Sequence, residues 1–261
     1  MKVLSYFITI VLTAIILAAI VCLKFPSVNN RVARRRIAIL RTSVQRKLEQ
    51  QKESLIKKLD AFANVTAQDR DFAMRLLVET DRSASDVVER AQQFIHPMNL
   101  DILEITDSAF VLLSSGHFPA SAGNSIEEKC SMLDESPAFL MDNIMGDSVA
   151  TLQAKVSFAI AELPFYVSGG VIIDNEFLSR LMPLDDVYVL LKTGDEIIGG
   201  KAIGNIGSIS DIEDQRIIIN SKEFLADTIA VSFQGEERDA TFYVLSKVPG
   251  PLSVLSIFNL K

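Results

Sequence analysis

Ser115 and His117 are the first residues of this chain whose types suggest chemistry, because a hydroxyl beside an imidazole is the minimum for a nucleophile and its base. They occur in the run Ser114-Ser115-Gly116-His117. No Gly-x-Ser-x-Gly elbow surrounds the serines, and neighbouring residues of a strand point to opposite faces of its sheet. The run therefore favours a strand end and turn with local hydrogen bonds, and we predict no catalytic residue.

A second group of candidates consists of Asp101, Glu104 and Asp107, three carboxylates along a predicted strand that could bind a cation or an amine. Solvated carboxylates are the commoner explanation, and Asp107 is most simply a turn residue. Residues 59–261, which we expect to form the folded part, contain two histidines and one cysteine, Cys130. These residues do not provide the ligand spacing of a zinc site. We therefore predict no metal and no cofactor.

The pair Gly169-Gly170 raises the question of a phosphate-binding loop. The Lys-Ser/Thr pair of a P-loop does not follow it, and the G-x-G-x-x-G spacing is missing. Glycines inside a strand instead indicate a bulge or a close approach of another backbone. We adopt that interpretation, with a helix capped by Asp174 following the strand.

The elements that would position these residues begin with a long amphipathic helix. Residues 30–64 contain no glycine or proline, and apolar residues recur there at helical spacing. The stripe comprises Val32, Ile37, Leu40, Val44, Leu48, Leu55, Leu59 and Phe62. It could pack on the folded part or pair with a second copy, although it is not a strict heptad repeat.

Shorter elements follow this helix. The patterns predict helices over 66–79, 83–95, 136–145 and 174–181, and strands over 101–106, 110–114, 154–161, 165–173, 187–192, 196–203, 216–219, 228–233 and 240–246. Residues 105–116 and 190–200 share one form, namely strand, polar turn, strand and small residues. This weak repeat indicates two related α/β halves that divide near residue 170.

Residues 3–23 form a run of 21 positions without a charge. About 20 helical residues cross the ~30 Å hydrocarbon core of a bilayer, so this run is long enough to span. A cleaved signal peptide is the alternative, but the run exceeds a usual apolar region and no small-x-small site follows it. We predict a transmembrane anchor over residues 1–24 and a helical stalk over 25–65.

The net charge of -7 is unevenly distributed. Residues 24–58 hold eleven Lys/Arg against two Glu, and residues 59–261 hold fourteen Lys/Arg against thirty-one Asp/Glu. The acidic folded part excludes nucleic acid as an expected partner, because phosphates require a basic face. The basic run after the anchor either lies against anionic headgroups or forms the solvated face of the stalk. Taken literally, the positive-inside rule would place the C-terminal side in the cytoplasm.

Two segments carry a family resemblance. The first is LDILEITD at 100–107 with SSGHFP at 114–119, and the second is SGGVIIDNEFLSRL at 168–181. They resemble the sensor region of bacterial membrane histidine kinases of the nitrogen-regulation type, in which the second segment links the two sensor halves. The resemblance covers about a fifth of the chain. It implies an α/β (α+β) fold with double PAS-like (Cache) antiparallel sheets flanked by helices.

The resemblance also implies a ligand pocket on the concave face of the first sheet. The residues expected to contact the ligand are Glu104, Ser115, His117 and Tyr166. The chain departs from the kinases because it has no phosphoacceptor-histidine helix and no glycine-rich ATP-binding motif. We therefore expect either the front end of a split kinase or a free-standing sensor that signals through a separate kinase or effector.

Together these patterns predict a membrane-anchored sensor rather than an enzyme. Residues 66–170 would form the membrane-distal α/β half and residues 171–261 the membrane-proximal half. The folded part would lie in the periplasm or outside the cell, the protein would be single-pass in the cytoplasmic membrane, and the stalk would form a homodimer. The alternative is a cytoplasm-facing PAS-like scaffold, and a membrane-tethered hydrolase using Ser115 and His117 is a third hypothesis.

Overall fold

The computed structural model describes residues 2–77, 82–133, 136–144, 146–199, 212, 215–235 and 239–248, and only the backbone of residues 2–30. A single helix, α1, runs over Lys2–Gln68. The predicted anchor at 1–24 lies outside the residues whose side chains are described. Among the residues that are described, no helix is both long and apolar enough to cross a membrane.

The apolar stripe of α1 is buried inside the chain. Val32 is half-buried, whereas all seven later members are buried, namely Ile37, Leu40, Val44, Leu48, Leu55, Leu59 and Phe62. The helix packs against the strands Asp147–Ile160 and Leu163–Ile172 of one sheet and against the strands Lys222–Ser232 and Asp239–Lys247 of a second sheet. This face of the stalk is therefore occupied within the chain, so a homodimer through α1 would have to use the opposite face.

The first sheet is antiparallel and has the strand order β2-β1-β5-β4-β3. Its strands are β1 (Ile102–Thr106), β2 (Leu112–Ser115), β3 (Ala138–Ile144), β4 (Asp147–Ile160) and β5 (Leu163–Ile172). The helices α2 (Arg70–Leu77), α3 (Ser85–Val88) and α4 (Arg90–Ile95) precede it, and α5 (Glu127–Met132) lies between β2 and β3. A single 3-10 turn spans Pro119–Ser121.

The second sheet repeats this arrangement. After α6 (Asn175–Leu181) come β6 (Val187–Thr193), β7 (Glu196–Ile198), β8 (Arg216–Ile219), β9 (Lys222–Ser232) and β10 (Asp239–Lys247). Their order is β7-β6-β10-β9-β8, so both sheets read second-first-fifth-fourth-third in chain order. The predicted α/β architecture with two antiparallel sheets is confirmed. The predicted boundary at residue 170 lies inside β5, which continues to Ile172.

One predicted helix is wrong. Residues 136–145 were expected to form a helix after Pro137, but Ala138–Ile144 is strand β3, paired antiparallel with β4 from Ala138↔Gln153 to Ile144↔Asp147. Local propensity favours a helix there, and pairing with the long strand β4 overrides it. The helix α5 was not predicted at all, and the predicted helix over 66–79 is interrupted at Asp69, whose Oδ1 accepts the backbone N–H groups of Asp71 and Phe72.

The two central glycines of β5 mark close approaches, as their pattern predicts. A Cβ on Gly169 would lie 2.8 Å from Leu59 Cδ2, so α1 packs directly on the strand. A Cβ on Gly170 would lie 2.4 Å from the carbonyl oxygen of Leu152 and 2.6 Å from Gln153 Cγ. The absence of side chains therefore lets α1 pack closely on one face of β5 at Gly169 and lets β4 approach closely beside β5 at Gly170.

Asp174 begins the second half by capping α6, as predicted. Its Oδ1 accepts the Phe177 backbone N–H at 2.8 Å. We expect Asp174→Ala to lower the free energy of unfolding by about 1 kcal/mol, because one helix N–H loses its acceptor. Urea unfolding followed by circular dichroism measures this. Asp174→Asn keeps an acceptor and should recover most of the loss; equal destabilisation by both variants would contradict the capping role.

Candidate functional site

Glu104 lies on the face of the first sheet that is turned away from α1. Its neighbours Leu103 and Ile105 belong to the core that includes the α1 stripe, and side chains alternate between the faces of a strand. Glu104 pairs with Ser115 on β2 and with Ser168 on β5. Directly opposed residues of antiparallel strands share a face, so these three polar side chains lie side by side.

Lys129 of α5 completes a buried charged cluster with Glu104. The Lys129 Nζ lies 2.9 Å from Glu104 Oε2 and 2.8 Å from Asp142 Oδ2. The Ser168 hydroxyl also donates to Glu104 Oε2, at 3.0 Å. Only 17% of the Lys129 side chain, 5% of the Glu104 side chain and 15% of the Asp142 side chain is exposed. Charges this buried are stable only when they are paired, and here one ammonium serves two carboxylates.

The cluster extends across the sheet. Glu104 is on β1 and Asp142 on β3, with β5 and β4 between them. The Lys129 ammonium therefore links carboxylates from strands that are not neighbours in the sheet. On β4, the Gln153 Nε2 donates to Asp142 Oδ2 at 2.7 Å and to Thr151 Oγ1 at 2.9 Å. Gln153 is fully buried, and its Oε1 has no donor among the described residues.

The electrostatics of the cluster favour its charged form. Burial disfavours the Lys129 ammonium, but Glu104 and Asp142 outweigh that effect and raise the pKa of Lys129 above its usual range. Burial likewise opposes ionisation of Asp142, but Lys129 and the hydrogen bond from Gln153 hold the pKa of Asp142 below its usual range. The cluster thus contains one more carboxylate than ammonium, which makes it attractive to a cation.

His117 touches the edge of this cluster. Its Nδ1 lies 3.3 Å from Ser115 Oγ, and its Nε2 lies 3.8 Å from Glu104 Oε1. Burial lowers the pKa of His117 below its usual range; Glu104 and Asp142 oppose that shift, whereas Lys129 adds to it. The imidazole is therefore neutral at pH 7 and forms no ion pair with Glu104 there.

The contacts from Ser115 to His117 and from His117 to Glu104 resemble those of a catalytic triad. The geometry, however, does not support Ser115 as a nucleophile. Ser115 is fully buried, and its Oγ accepts the Phe118 backbone N–H at 3.2 Å. A nucleophilic oxygen must instead face an open position where a substrate carbon can lie about 3 Å away. The contacts match the interpretation of a strand end held by local hydrogen bonds.

Tyr166, the fourth predicted residue, lies on the same face of the sheet, two residues along β5 from the Ser168 that pairs with Glu104. It pairs with Thr106, its ring is 5.0 Å from that of Phe110, and Lys155 Nζ lies 5.7 Å from its ring. It lines a pocket of about 710 Å³ together with Lys155 and Leu133. The structure therefore brings Glu104, Ser115 and His117 together and places Tyr166 at a different pocket.

The charged cluster borders a pocket of its own. A cavity of about 520 Å³ is lined by Lys129 and Asp142, with Glu127, Glu128 and Met132 from α5 and with Leu140 and Met141 from β3. Its size is within the range of small-molecule sites in proteins. Among the described residues, no group of three His, Cys, Asp or Glu side chains is arranged to hold a metal ion.

Sequence reasoning missed three members of this site. Lys129 is on the helix that was not predicted, Asp142 is on the strand predicted as a helix, and Gln153 precedes the predicted start of β4. A usable signal existed in the alternation of Thr151, Gln153 and Lys155 with the apolar residues between them. Polar residues at a period of two within an apolar strand indicate a polar face inside the fold.

The corresponding face of the second sheet differs in character. It is lined by a second apolar cluster that comprises Tyr188, Leu190, Ile217, Ile219, Phe224, Ala226 and Leu245. The two halves thus share a strand order, but the described core of this face of the second sheet is apolar where the first sheet carries Glu104 and Gln153.

The lowered pKa of His117 predicts a pH-dependent stability. The unfolded chain takes up the proton near the ordinary value of 6.5, whereas the folded chain does so only at lower pH. The free energy of unfolding should therefore fall as pH drops below 6.5, by at most about 1.4 kcal/mol per pH unit for one proton. His117→Asn should flatten the urea-unfolding profile between pH 5 and 7. His96→Asn, at the exposed second histidine, is the matched control; an equal flattening by that variant would contradict the assignment.

The chain matches no protein-family model and no curated protein. Several solved structures have a similar overall arrangement. The sensor domain of the V. cholerae histidine kinase DctB is 13% identical, with 80% of this chain and 97% of that chain covered and a TM-score of 0.46. The periplasmic domain of Vibrio cholerae LuxQ is 12% identical, with coverage of 81% and 100% and a TM-score of 0.49.

A third similar structure is the sensory domain of the Campylobacter jejuni chemoreceptor Tlp3, which is 10% identical, with 84% of this chain and 95% of that chain covered and a TM-score of 0.49. At such low identities and TM-scores, what these proteins bind or signal to is not carried over to this chain.

Proposed function

We infer that this chain is the ligand-sensing part of a membrane receptor that binds a small molecule in its first α/β half. The buried cluster of Glu104, Lys129 and Asp142 carries this inference, because it borders a pocket and contains the unsatisfied Gln153 Oε1. Buried polar atoms are nearly always hydrogen-bonded, and a bound ligand would give Gln153 Oε1 the partner that it lacks.

The helix α1 is suited to carry a signal from the site toward the proposed anchor. It packs on both sheets, Arg36 pairs with Asp186, and Lys47 Nζ donates to the carbonyl oxygens of Arg180 and Met182, the latter at 2.6 Å. Part of the basic run is thus bound to the second half. A ligand that favours one of two arrangements of the sheets would shift α1 through these contacts.

The remaining parts of the proposal concern the membrane. Residues 1–24 would anchor the chain, the folded part would lie outside the cytoplasm, and the signal would reach a histidine kinase of the nitrogen-regulation type or another effector through a homodimer. The competing proposal is a cytoplasm-facing scaffold, which the arginines after the anchor favour under the positive-inside rule.

A topology experiment on the full chain decides between these two. Alkaline phosphatase, and separately a fluorescent protein that lights only in the cytoplasm, is fused after Lys261. We expect active phosphatase and a dark fluorophore, because long domains are exported largely regardless of flanking charge. The reverse pattern would overturn the extracytoplasmic sensor and support the scaffold.

A further inference from the structure

The Lys129 ammonium group occupies a buried position between two carboxylates. Its Nζ donates to Glu104 Oε2 and to Asp142 Oδ2, two acceptors for three N–H donors. The fully buried Gln153 bonds Asp142 through its Nε2, so its amide lies within the same cluster, and its Oε1 has no donor among the described residues. Two carboxylates thus bind the ammonium, and a buried amide that still has a free acceptor is bonded to one of them.

The lysine is presented by a short element. The helix α5 has six residues, Glu127–Met132, and a helix of this length has little stability without its tertiary contacts. Its attachments on this face include the ion pairs of Lys129 and the hydrogen bond from Lys155 Nζ to the Cys130 carbonyl oxygen, at 2.6 Å. An ion that takes the place of the Lys129 ammonium would remove the charged part of this attachment.

The neighbouring cavity indicates the class of ion. Its volume of about 520 Å³ leaves room for a short alkyl chain beside Lys129 and Asp142. The carboxylates of Glu127 and Glu128 also line it, so a ligand carboxylate would be repelled there. A primary amine or a diamine without a carboxylate fits this lining better than an amino acid.

We propose that Lys129 is an internal occupant of an organic-ammonium site, and that the receptor's ligand is a primary amine or diamine that displaces it from Glu104 and Asp142. This inference rests on the proposed sensory function, since it names the ligand class and the trigger of that same pocket. Displacement removes the ion pairs that attach α5 to the sheet and leaves Asp142 on β3 bound to the ligand instead of to Lys129.

Competition by Lys129 sets the expected affinities. The site accepts an external amine only in the fraction of molecules in which Lys129 has left, so the apparent dissociation constant is the intrinsic one divided by that fraction. Removing the lysine should therefore tighten amine binding. We expect n-propylammonium, which replaces the atoms lost in Lys129→Ala, to bind that variant at least about tenfold more tightly than the wild type.

The first test is chemical rescue of the full chain in detergent. Lys129→Ala should lower the thermal midpoint, and about 50 mM n-propylammonium should restore most of the loss by binding the folded state. Tetramethylammonium and sodium at equal ionic strength should not, because they offer no N–H donor. Lys155→Ala, at the other lysine beside α5, is the matched control and should show no rescue. Equal effects of propylammonium and tetramethylammonium on Lys129→Ala would overturn the proposal.

A second measurement does not depend on any variant folding. Hydrogen exchange of the wild-type chain is followed by mass spectrometry with and without 1,4-diaminobutane. Displacement of Lys129 should speed exchange in the peptide covering residues 127–132 by about threefold or more, because α5 loses an anchor and opens more often. Unchanged or slower exchange in that peptide at saturating diamine would overturn the displacement.

The outcomes separate this inference from the sensory function. Rescue and faster exchange in a chain that the topology test places in the cytoplasm would keep the ammonium site and remove the extracytoplasmic sensor. An exported chain that shows neither rescue nor faster exchange would keep the sensor and remove Lys129 as the occupant.

Discussion

Gly170→Ala should lower the free energy of unfolding by about 3 kcal/mol. The added Cβ would be pressed against backbone atoms, which cannot move aside as a flexible side chain can. The new Cβ would lie 2.4 Å from the carbonyl oxygen of Leu152 and 3.0 Å from the Cα of Gln153. Strands β4 and β5 would have to separate within an otherwise uninterrupted pairing. The measurement is urea unfolding followed by circular dichroism, which suits a chain without tryptophan.

The same substitution should disturb the candidate site. The Cβ would also lie 2.6 Å from Gln153 Cγ, and Gln153 holds Asp142 through its Nε2. Amine binding should therefore weaken along with stability. Ser157→Ala, at an exposed position of β4, is the control and should change stability by no more than about 0.5 kcal/mol. A Gly170→Ala variant as stable as that control would show that the two strands do not close at this point.

Phe139→Ala should lower the free energy of unfolding by a similar amount, about 3 kcal/mol, because it removes a buried aromatic ring at the junction of the halves. Phe139 is 5% exposed, and its ring centroid lies 6.0 Å from that of Phe233 and 5.8 Å from that of Phe242. Lys52 of α1 lies over the same ring, 5.6 Å from its centroid. One side chain of β3 thus contacts the second sheet and the stalk helix together.

The junction also has a backbone component. Phe139 and Phe233 form an isolated parallel bridge, and the Gln234 N–H donates to the Phe139 carbonyl oxygen at 2.8 Å. Because β3 carries both Phe139 and Asp142, the ammonium site and the junction belong to one strand. Phe139→Ala should therefore split thermal unfolding into two transitions, one for each half, in calorimetry. Phe118→Ala removes a ring that is 46% exposed and should leave a single transition; a single transition in both variants would argue against coupling through Phe139.

Local pattern determined several features from the sequence alone. The apolar stripe of α1, the hairpin-like pair β1–β2, the Asp174 cap and the close approaches at Gly169 and Gly170 all follow from periodicity or from the conformational properties of one or two residues. Such signals are readable because the interacting groups are a few residues apart, or because a missing side chain has the same consequence in any sheet. The repeated strand order was foreseen only as a weak similarity of two hairpins.

Tertiary structure alone decided the identity of the site. Ser168 contacts Glu104 across 64 positions of the chain. The ammonium between Glu104 and Asp142 depends on a helix that was not predicted and on a strand that was predicted as a helix. Glu104 and Asp142 belong to β1 and β3, and two other strands lie between these in the sheet. The number of residues between them in the sequence therefore does not predict that they share a cation. The order of the strands decides which carboxylates can share a cation. Burial removes water from these carboxylates, so that they must be paired with a positive charge. Neither strand order nor burial is a property of a local segment.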